Sequence, residues 1–346
     1  MAIGQSTLSS WLERAEGEVT PVNVLTGFLG SGKTTLLQRL LRSPRMAHTA
    51  VLINEFGDVG LDHLLVQKVD EAVVLLESGC ICCSIRDDLK AALRDLLERR
   101  ERGDIPWFDR VVIETTGLAD PGPILYTLLG EPVIRHHFRP GNVITTVDVL
   151  NAGLHLSRNP EGIKQVAAAD CLVLTKTDLA TPELTAAVRA ELKRLNPSAG
   201  VWDASEQPVA ADFLLDATPS TQTPDRASFR LREDRLPHTD SVKSFSLVLD
   251  RPADWSAFGI WLSLLLNRHG DDVLRVKGIL SVEGSPTPVF INAVQHIVHP
   301  PQHLERWPTD DHRSRIVFIT RDIDQARLRR SLEVFCRLQA AELIGA

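Results

Sequence analysis

One short segment constrains this chain more than any other: Gly27, Phe28, Leu29, Gly30, Ser31, Gly32, Lys33, Thr34. It fits Gly-x4-Gly-Lys-[Ser/Thr], between an apolar β-branched run at residues 22–25 and a helical pattern at 34–41. Leu36, Leu37, Leu40 and Leu41 share one face of that helix. Strand, glycine-rich turn and helix in that order make an anion cradle. The glycines let backbone N–H groups approach phosphate oxygens, and the helix turns the positive end of its dipole toward them. Lys33 is then the side chain that reaches the β- and γ-phosphates, the Thr34 hydroxyl is placed to ligate Mg2+, and Thr35 completes the loop.

The flanking pattern sets the fold class. Short β-branched runs at 50–53, 72–76, 111–113, 143–147 and 171–174 alternate with helical stretches. The clearest of these is 88–100, with Leu89, Leu93, Leu96 and Leu97 on one face. This alternation predicts an α/β architecture: a P-loop NTPase domain with a mostly parallel sheet flanked by helices. Composition changes near residue 205. Residues 207–240 are rich in Pro, Thr, Ser, Asp and Arg without periodicity, and read as a linker. Strand patterns return at 245–249, 273–280, 289–298 and 315–319, with helices at 255–266 and 325–343. They predict a smaller α+β C-terminal domain. The expected division is an N-terminal segment 1–20, a nucleotide domain 21–206, a linker 207–240 and a second domain 241–346; a chain of 346 residues suits two domains.

Two further motifs extend the phosphate site. The run at 111–113 delivers Glu114 at its end, with Gly117 three residues later. In P-loop proteins such an acid supports the Mg2+ shell or polarises its water, and the glycine amide can sense the γ-phosphate. Thr175, Lys176, Thr177 and Asp178 follow the apolar run 171–174 and resemble the guanine-reading Asn-Lys-x-Asp. The Asp178 carboxylate can accept from both N1–H and the exocyclic amine of guanine, a donor pair adenine lacks, and so favours GTP over ATP. Lys176 would cover the base plane with its stem. The first position is Thr, whose hydroxyl cannot imitate a carboxamide.

Five cysteines are present, and three of them, Cys80, Cys82 and Cys83, fall within four residues. Thiolates suit soft ions such as Zn2+ and Cu+. Three sulfurs can take three corners of a tetrahedron and leave the fourth open, as a site that must release its ion requires. Small buried hydrophobes and a redox switch are the alternatives. His296, His299, His303 and His312 have irregular spacing and read as loop histidines around Pro300 and Pro301, with a metal or client contact through His296 and His299 as the alternative.

A net charge of −7, with the arginines of 97–104 interleaved with acids, excludes a nucleic-acid footprint. There is neither a signal-peptide h-region nor an apolar run of bilayer length, so the expectation is a cytoplasmic protein that engages no membrane.

The chain resembles the CobW-type GTPases, which include zinc chaperones, proteins associated with cobalamin synthesis and nitrile hydratase activators. The resemblance rests on residues 27–35, on Asn54, Glu55, Phe56 and Gly57, on 77–83, on Glu114 to Gly117 and on 175–178. It continues through 275–279, 290–294 and 296–307, and so covers nearly the whole chain. It implies a GTPase that couples binding and hydrolysis of GTP, with Mg2+, to delivery of Zn2+ from Cys80, Cys82 and Cys83 to a client metalloprotein. In that setting Glu55 and Asp58 are switch acids, one of them placed to contact Mg2+ or to act as an outer metal ligand. A non-catalytic zinc-sensing scaffold and a GTPase maturation factor for a cobalt enzyme or cobalamin pathway are the alternatives. The client, the metal used in the cell and the oligomeric state, a homo-oligomer included, stay open.

Overall fold

A computed structural model describes residues 19–53, 74–77, 85–205 and 242–342, with side chains for all of these except 74–77, 85–86 and 336–342. The first sheet is built from β1 (Thr20–Gly27), β2 (Thr49–Ile53), β3 (Val74–Glu77), β4 (Arg110–Glu114), β5 (Phe138–Asp148), β6 (Cys171–Thr175) and β7 (Gly200–Asp203). Its order is β3-β2-β4-β1-β5-β6-β7, and every neighbouring pair runs parallel. Parallel strands need crossover connections, and helices supply them: α1 (Lys33–Leu41), α2 (Ile85–Arg102), α3 (Gly122–Gly130), α4 (Pro132–His137), α5 (Ala152–Arg158), α6 (Pro160–Ala168) and α7 (Pro182–Leu195).

Both faces of this sheet are buried, and the period of two decides which residue goes where. Val22, Val24, Ala50, Leu52, Val111 and Ile113 face Leu89, Leu93 and Leu96 of α2 and Leu125 and Leu128 of α3. Leu25, Val51, Val112 and Ile144 face Leu36, Leu37, Leu40 and Leu41 of α1. Each Val, Leu or Ile among them taken fully out of water contributes about 1.5–3 kcal/mol, so the strand carrying the phosphate loop is fixed from both sides.

The second sheet joins β8 (Val242–Leu249), β9 (Val273–Leu280), β10 (Val289–Val294), β11 (Ile297–Val298) and β13 (Ser314–Arg321) in the antiparallel order β11-β10-β9-β13-β8. The short β12 (Gln302–His303) pairs with β10. Helices α8 (Trp255–His269) and α9 (Gln325–Glu342) cover one face, through Phe258, Trp261, Leu262, Leu266, Leu328 and Leu332. Asp254 caps α8 by accepting from the Ala257 amide at 2.8 Å. Val242, Leu274 and Ile319 pack into the apolar cluster of α7, and Val294 and Ile297 into that of α3.

One expectation is corrected. The single strand expected over 289–298 is a hairpin, because the chain reverses at Gln295 and His296 between β10 and β11. Gln295 takes a left-handed φ of 52°, which no alternation of apolar residues announces.

Candidate nucleotide site

The cradle sits where β1 ends between β4 and β5. Gly27 has a φ of 140°, and a Cβ there would stand 2.5 Å from the Thr146 carbonyl oxygen. Gly32 caps α1 with a left-handed φ of 87°. Both positions exclude ordinary side chains, which is the physical content of the glycine spacing. The Ser31 amide donates to the Phe28 carbonyl at 3.1 Å and closes the turn. The Ser31 hydroxyl shares a 2.7 Å hydrogen bond with Thr146 on β5. Lys33 is buried, and its ammonium donates to the carbonyls of Gly27 at 3.1 Å and Phe28 at 3.2 Å. Leu29 and Thr35 are exposed at the mouth. The Phe28 ring lies 4.0 Å from that of His155 on α5, where burial lowers the imidazole pKa.

Glu114 ends β4, the strand adjoining β1, and is buried. The Thr34 hydroxyl donates to its Oε1 at 2.6 Å. The next residues lie against the phosphate loop: the Thr115 amide donates to the Leu25 carbonyl at 2.9 Å, and a Cβ on Gly117 would meet the Leu29 nitrogen at 2.5 Å. Gln165 of α6, buried, donates to the carbonyls of Gly117 at 3.1 Å and Ala119 at 3.0 Å.

At the far end of the cradle, Thr175 is buried and turned away from solvent. Its hydroxyl donates to the Ser31 carbonyl at 2.8 Å, so it ties the end of β6 to the phosphate loop. Lys176 has a left-handed φ of 58°, and its ammonium pairs with Asp148 at 2.8 Å. Burial pushes the Asp148 carboxyl upward, but the hydrogen bonds from Lys176, Asn151 and Leu150 outweigh it and lower its pKa. Asp178 stands exposed on the turn Thr177–Leu179. The Thr177 hydroxyl donates to Asp203 at 2.7 Å, and Asp203 also accepts from the Ser205 amide at 2.8 Å.

Thr146, Asp148, Gln165, Asp203 and Ser205 brace this site without belonging to any of its motifs, as does Thr26, whose hydroxyl accepts from Thr115 at 2.9 Å. A polar residue within an apolar strand, such as Thr146 in 143–147, was the one signal available. Glu55, Asp58, Cys80, Cys82 and Cys83 lie outside the described residues. Among the described residues no three His, Cys, Asp or Glu gather as metal ligands. The C-terminal histidines are dispersed: His296 lies 3.3 Å from Asp271, His312 stacks on Trp307, His303 is exposed on β12 and His299 points inward. Cys171 is a buried thiol whose pKa burial and Asp170 push up to about 12, so it is inert. No helix of the described residues is long and apolar enough to cross a membrane.

Residues 21–203 match the model of the CobW/HypB/UreG nucleotide-binding domain, and residues 242–336 that of the cobalamin synthesis protein cobW C-terminal domain. The chain is 33% identical to the zinc chaperone YjiA of Escherichia coli K12, over 89% of this chain and 96% of the relative. It is 32% identical to the zinc chaperone CobW of a Sinorhizobium species, over 92% of this chain and 98% of the relative. The crystal structure of Zn(II)-bound YjiA GTPase from E. coli superposes with a TM-score of 0.70 at 28% identity, covering 92% of this chain and 99% of that one. With both domain models matched in order and this phosphate cradle in place, the chain belongs to the CobW family of P-loop GTPases.

Proposed function

We propose that this protein is a GTP-hydrolysing metallochaperone that takes zinc as cargo on Cys80, Cys82 and Cys83 and hands it to a client metalloprotein under control of the nucleotide. The observation that carries the reading is the 2.6 Å pair between Thr34 and Glu114 at the mouth of a glycine cradle. A hydroxyl and a buried carboxylate side by side form an oxygen donor set that suits Mg2+. Thr34 and Glu114, with Glu55 in reach by sequence, are the residues that would hold it. When bound, the ion neutralises charge on the β- and γ-phosphate oxygens.

The chain's own groups do the rest of the work in this reading. The backbone amides of 27–35 bind the phosphates. Lys33 supplies the fixed positive charge that loosens the terminal phosphoryl group. Gly117 presents its amide where the γ-phosphate ends. Lys176 and Asp178 select guanine, while Thr175 sets the loop at the right depth below the base. The proposed units are 21–206 for the nucleotide, 207–240 as the link and 241–346 for the second domain.

Coupling to the cysteines is supported by sheet register. Glu77, Ile53, Glu114 and Leu25 stand opposite one another across β3, β2, β4 and β1. The strand that leads to the cysteine motif therefore ends level with the strand that carries Glu114. Binding free energies are reciprocal, so Mg-GTP that tightens zinc binding must itself be held more tightly by the zinc-loaded protein.

The test is a competition titration of zinc against a chelator, with a non-hydrolysable GTP analogue and with GDP, alongside phosphate release with and without zinc. The expected result is one zinc per chain, tighter with the analogue. Zinc should accelerate release in the wild type and leave the triple Cys→Ser variant unchanged, since hydroxyls replace thiolates poorly. Equal zinc affinity in both nucleotide states would sink the GTP-driven transfer and leave a zinc-binding scaffold in its place.

A further inference from the structure

The loop that follows Gly117 is held at a second point that the reaction itself does not require. Asp120 lies three residues beyond Gly117. Its carboxylate accepts from Lys164 of α6 at 2.8 Å, from the Gly122 amide at 2.9 Å, and from the Gln295 carboxamide at 3.0 Å and 3.2 Å to its two oxygens. Gln295 belongs to the other domain, at the reversal between β10 and β11. Burial works against the charge on Asp120, but these donors outweigh it and keep the pKa below its ordinary value.

Two details show that the contact is built. The hairpin turn needs a left-handed residue at position 295, where glycine or asparagine is the undemanding choice. Glutamine accepts that conformation and gains a side chain long enough to reach Asp120. On the other side, a Cβ on Gly122 would stand 2.7 Å from Gln295 Oε1, so a methyl there would push the carboxamide out of its present seat. Val294 and Ile297 flank the turn and are packed with Ile124 and Leu125 of α3, the helix that begins at Gly122. Polar latch and apolar seat therefore join the same two segments. Between Asp120 and Glu114 the chain is short, and Gln165 pins the carbonyls of Gly117 and Ala119 in between.

We infer that Gln295 is a positioning residue through which the C-terminal domain sets the conformation of the Gly117–Gly122 loop, and thereby how strongly the site distinguishes GTP from GDP. The inference rests on the GTPase reading given above. A change of the γ-phosphate moves Gly117, and movement carried along the pinned loop is resisted or favoured by the Asp120–Gln295 contact. By reciprocity, whatever binds the C-terminal domain near the 294–297 hairpin and displaces Gln295 shifts nucleotide preference.

The test uses the full-length chain with Mg2+. Affinities for a non-hydrolysable GTP analogue and for GDP are measured in the wild type, Gln295→Ala, Gly122→Ala and Gln295→Lys. Thermal midpoints are measured in each nucleotide state. Gln295→Ala and Gly122→Ala should each change the analogue-to-GDP affinity ratio by about threefold or more, in the same direction. Midpoints without nucleotide should stay within about 2 °C of wild type. Gln295→Lys keeps a donor facing the carboxylate and should return the ratio to within roughly twofold of wild type. If the wild type discriminates and both alanine variants discriminate equally well, the latch is overturned alone. If both nucleotides weaken together with the midpoint, the contact is merely structural and the inference falls. A wild type that binds neither nucleotide overturns the GTPase reading and the latch with it.

Discussion

The two sheets of this protein put their polar residues to opposite uses. The parallel sheet buries both faces in apolar side chains and gathers polar groups at the carboxyl ends of its inner strands, where Gly27, Glu114, Asp148 and Thr175 end neighbouring strands. The antiparallel sheet buries one face under α8 and α9 and lays charged residues of the other against the first domain. Arg275 and Lys277 of β9 are buried there, with Arg275 paired to Asp170 and Lys277 to the same carboxylate at 3.1 Å. Arg275 also donates to the Ala168 carbonyl. Burial would raise the Asp170 pKa, yet the two cations and the Val143 amide hold it well below the usual carboxylate range. Buried polarity thus lines the phosphate cradle at the strand ends of the first sheet, and on the face of the second it seats one domain on the other.

This contrast is sharpest at Asp170. Asp170→Ala leaves two buried cations without their partner and should cost about 3–5 kcal/mol of stability. Chemical denaturation should show this loss, while nucleotide affinity of the folded fraction stays near wild type. A stable variant would mean that the second sheet is seated by its apolar contacts alone. Lys33→Ala is the mirror case. It should slow GTP turnover by roughly 10²–10³-fold or more, the scale of losing a fixed electrostatic stabiliser, with an unchanged unfolding transition. Phosphate release near the wild-type rate would remove the cradle from the chemistry.

The next effect depends on pH. His299 has an Nε2 sealed from solvent without a hydrogen-bond partner, and burial together with Arg275 lowers its pKa to about 4. In the unfolded chain it titrates near 6.5. Between those values the unfolded state binds a proton that the folded state refuses, so stability falls as pH drops from about 6.5 to 4, by up to ~1.4 kcal/mol per unit. Asp170 adds a loss at lower pH, because its depressed folded pKa lies below the unfolded one. His299→Gln should flatten the upper window and spare the lower; an unchanged profile between pH 6.5 and 4 would exclude His299 as its source.

Two smaller effects probe the base end. Asp178→Asn should reduce the preference for GTP over ATP by roughly tenfold, since an amide replaces an acceptor with a donor; competition binding with both nucleotides measures it. Thr175→Val removes the bond to Ser31 but little volume, and should weaken nucleotide binding by about 1 kcal/mol. Calorimetry on a folded variant with undiminished affinity would show that the tether does nothing for the loop.

Residues that act through their neighbours in sequence were legible in advance. The phosphate loop is written in local terms: three glycines at positive φ, a strand of period two before them, a helix with a leucine stripe after them. Glu114 at a strand end and the Thr175 to Asp178 turn are local in the same sense. The hairpin at Gln295 was missed because its signal, one non-glycine residue with φ of 52°, is not a composition.

What the sequence by itself determined is thus the kind of site and the class of fold, through spacing and periodicity, which depend on backbone geometry over a few residues. Only the tertiary structure decided the partners. Thr175 reaches Ser31 across 144 positions, Asp120 meets Gln295 across 175, and Arg275 finds Ala168 across 107. Such pairs exist because β1 lies between β4 and β5, β6 follows β5, and the second sheet turns one face to the first domain. Strand order is a property of the whole packed chain, in which burial of many apolar side chains outweighs the entropy of closing long loops, and no local pattern records it.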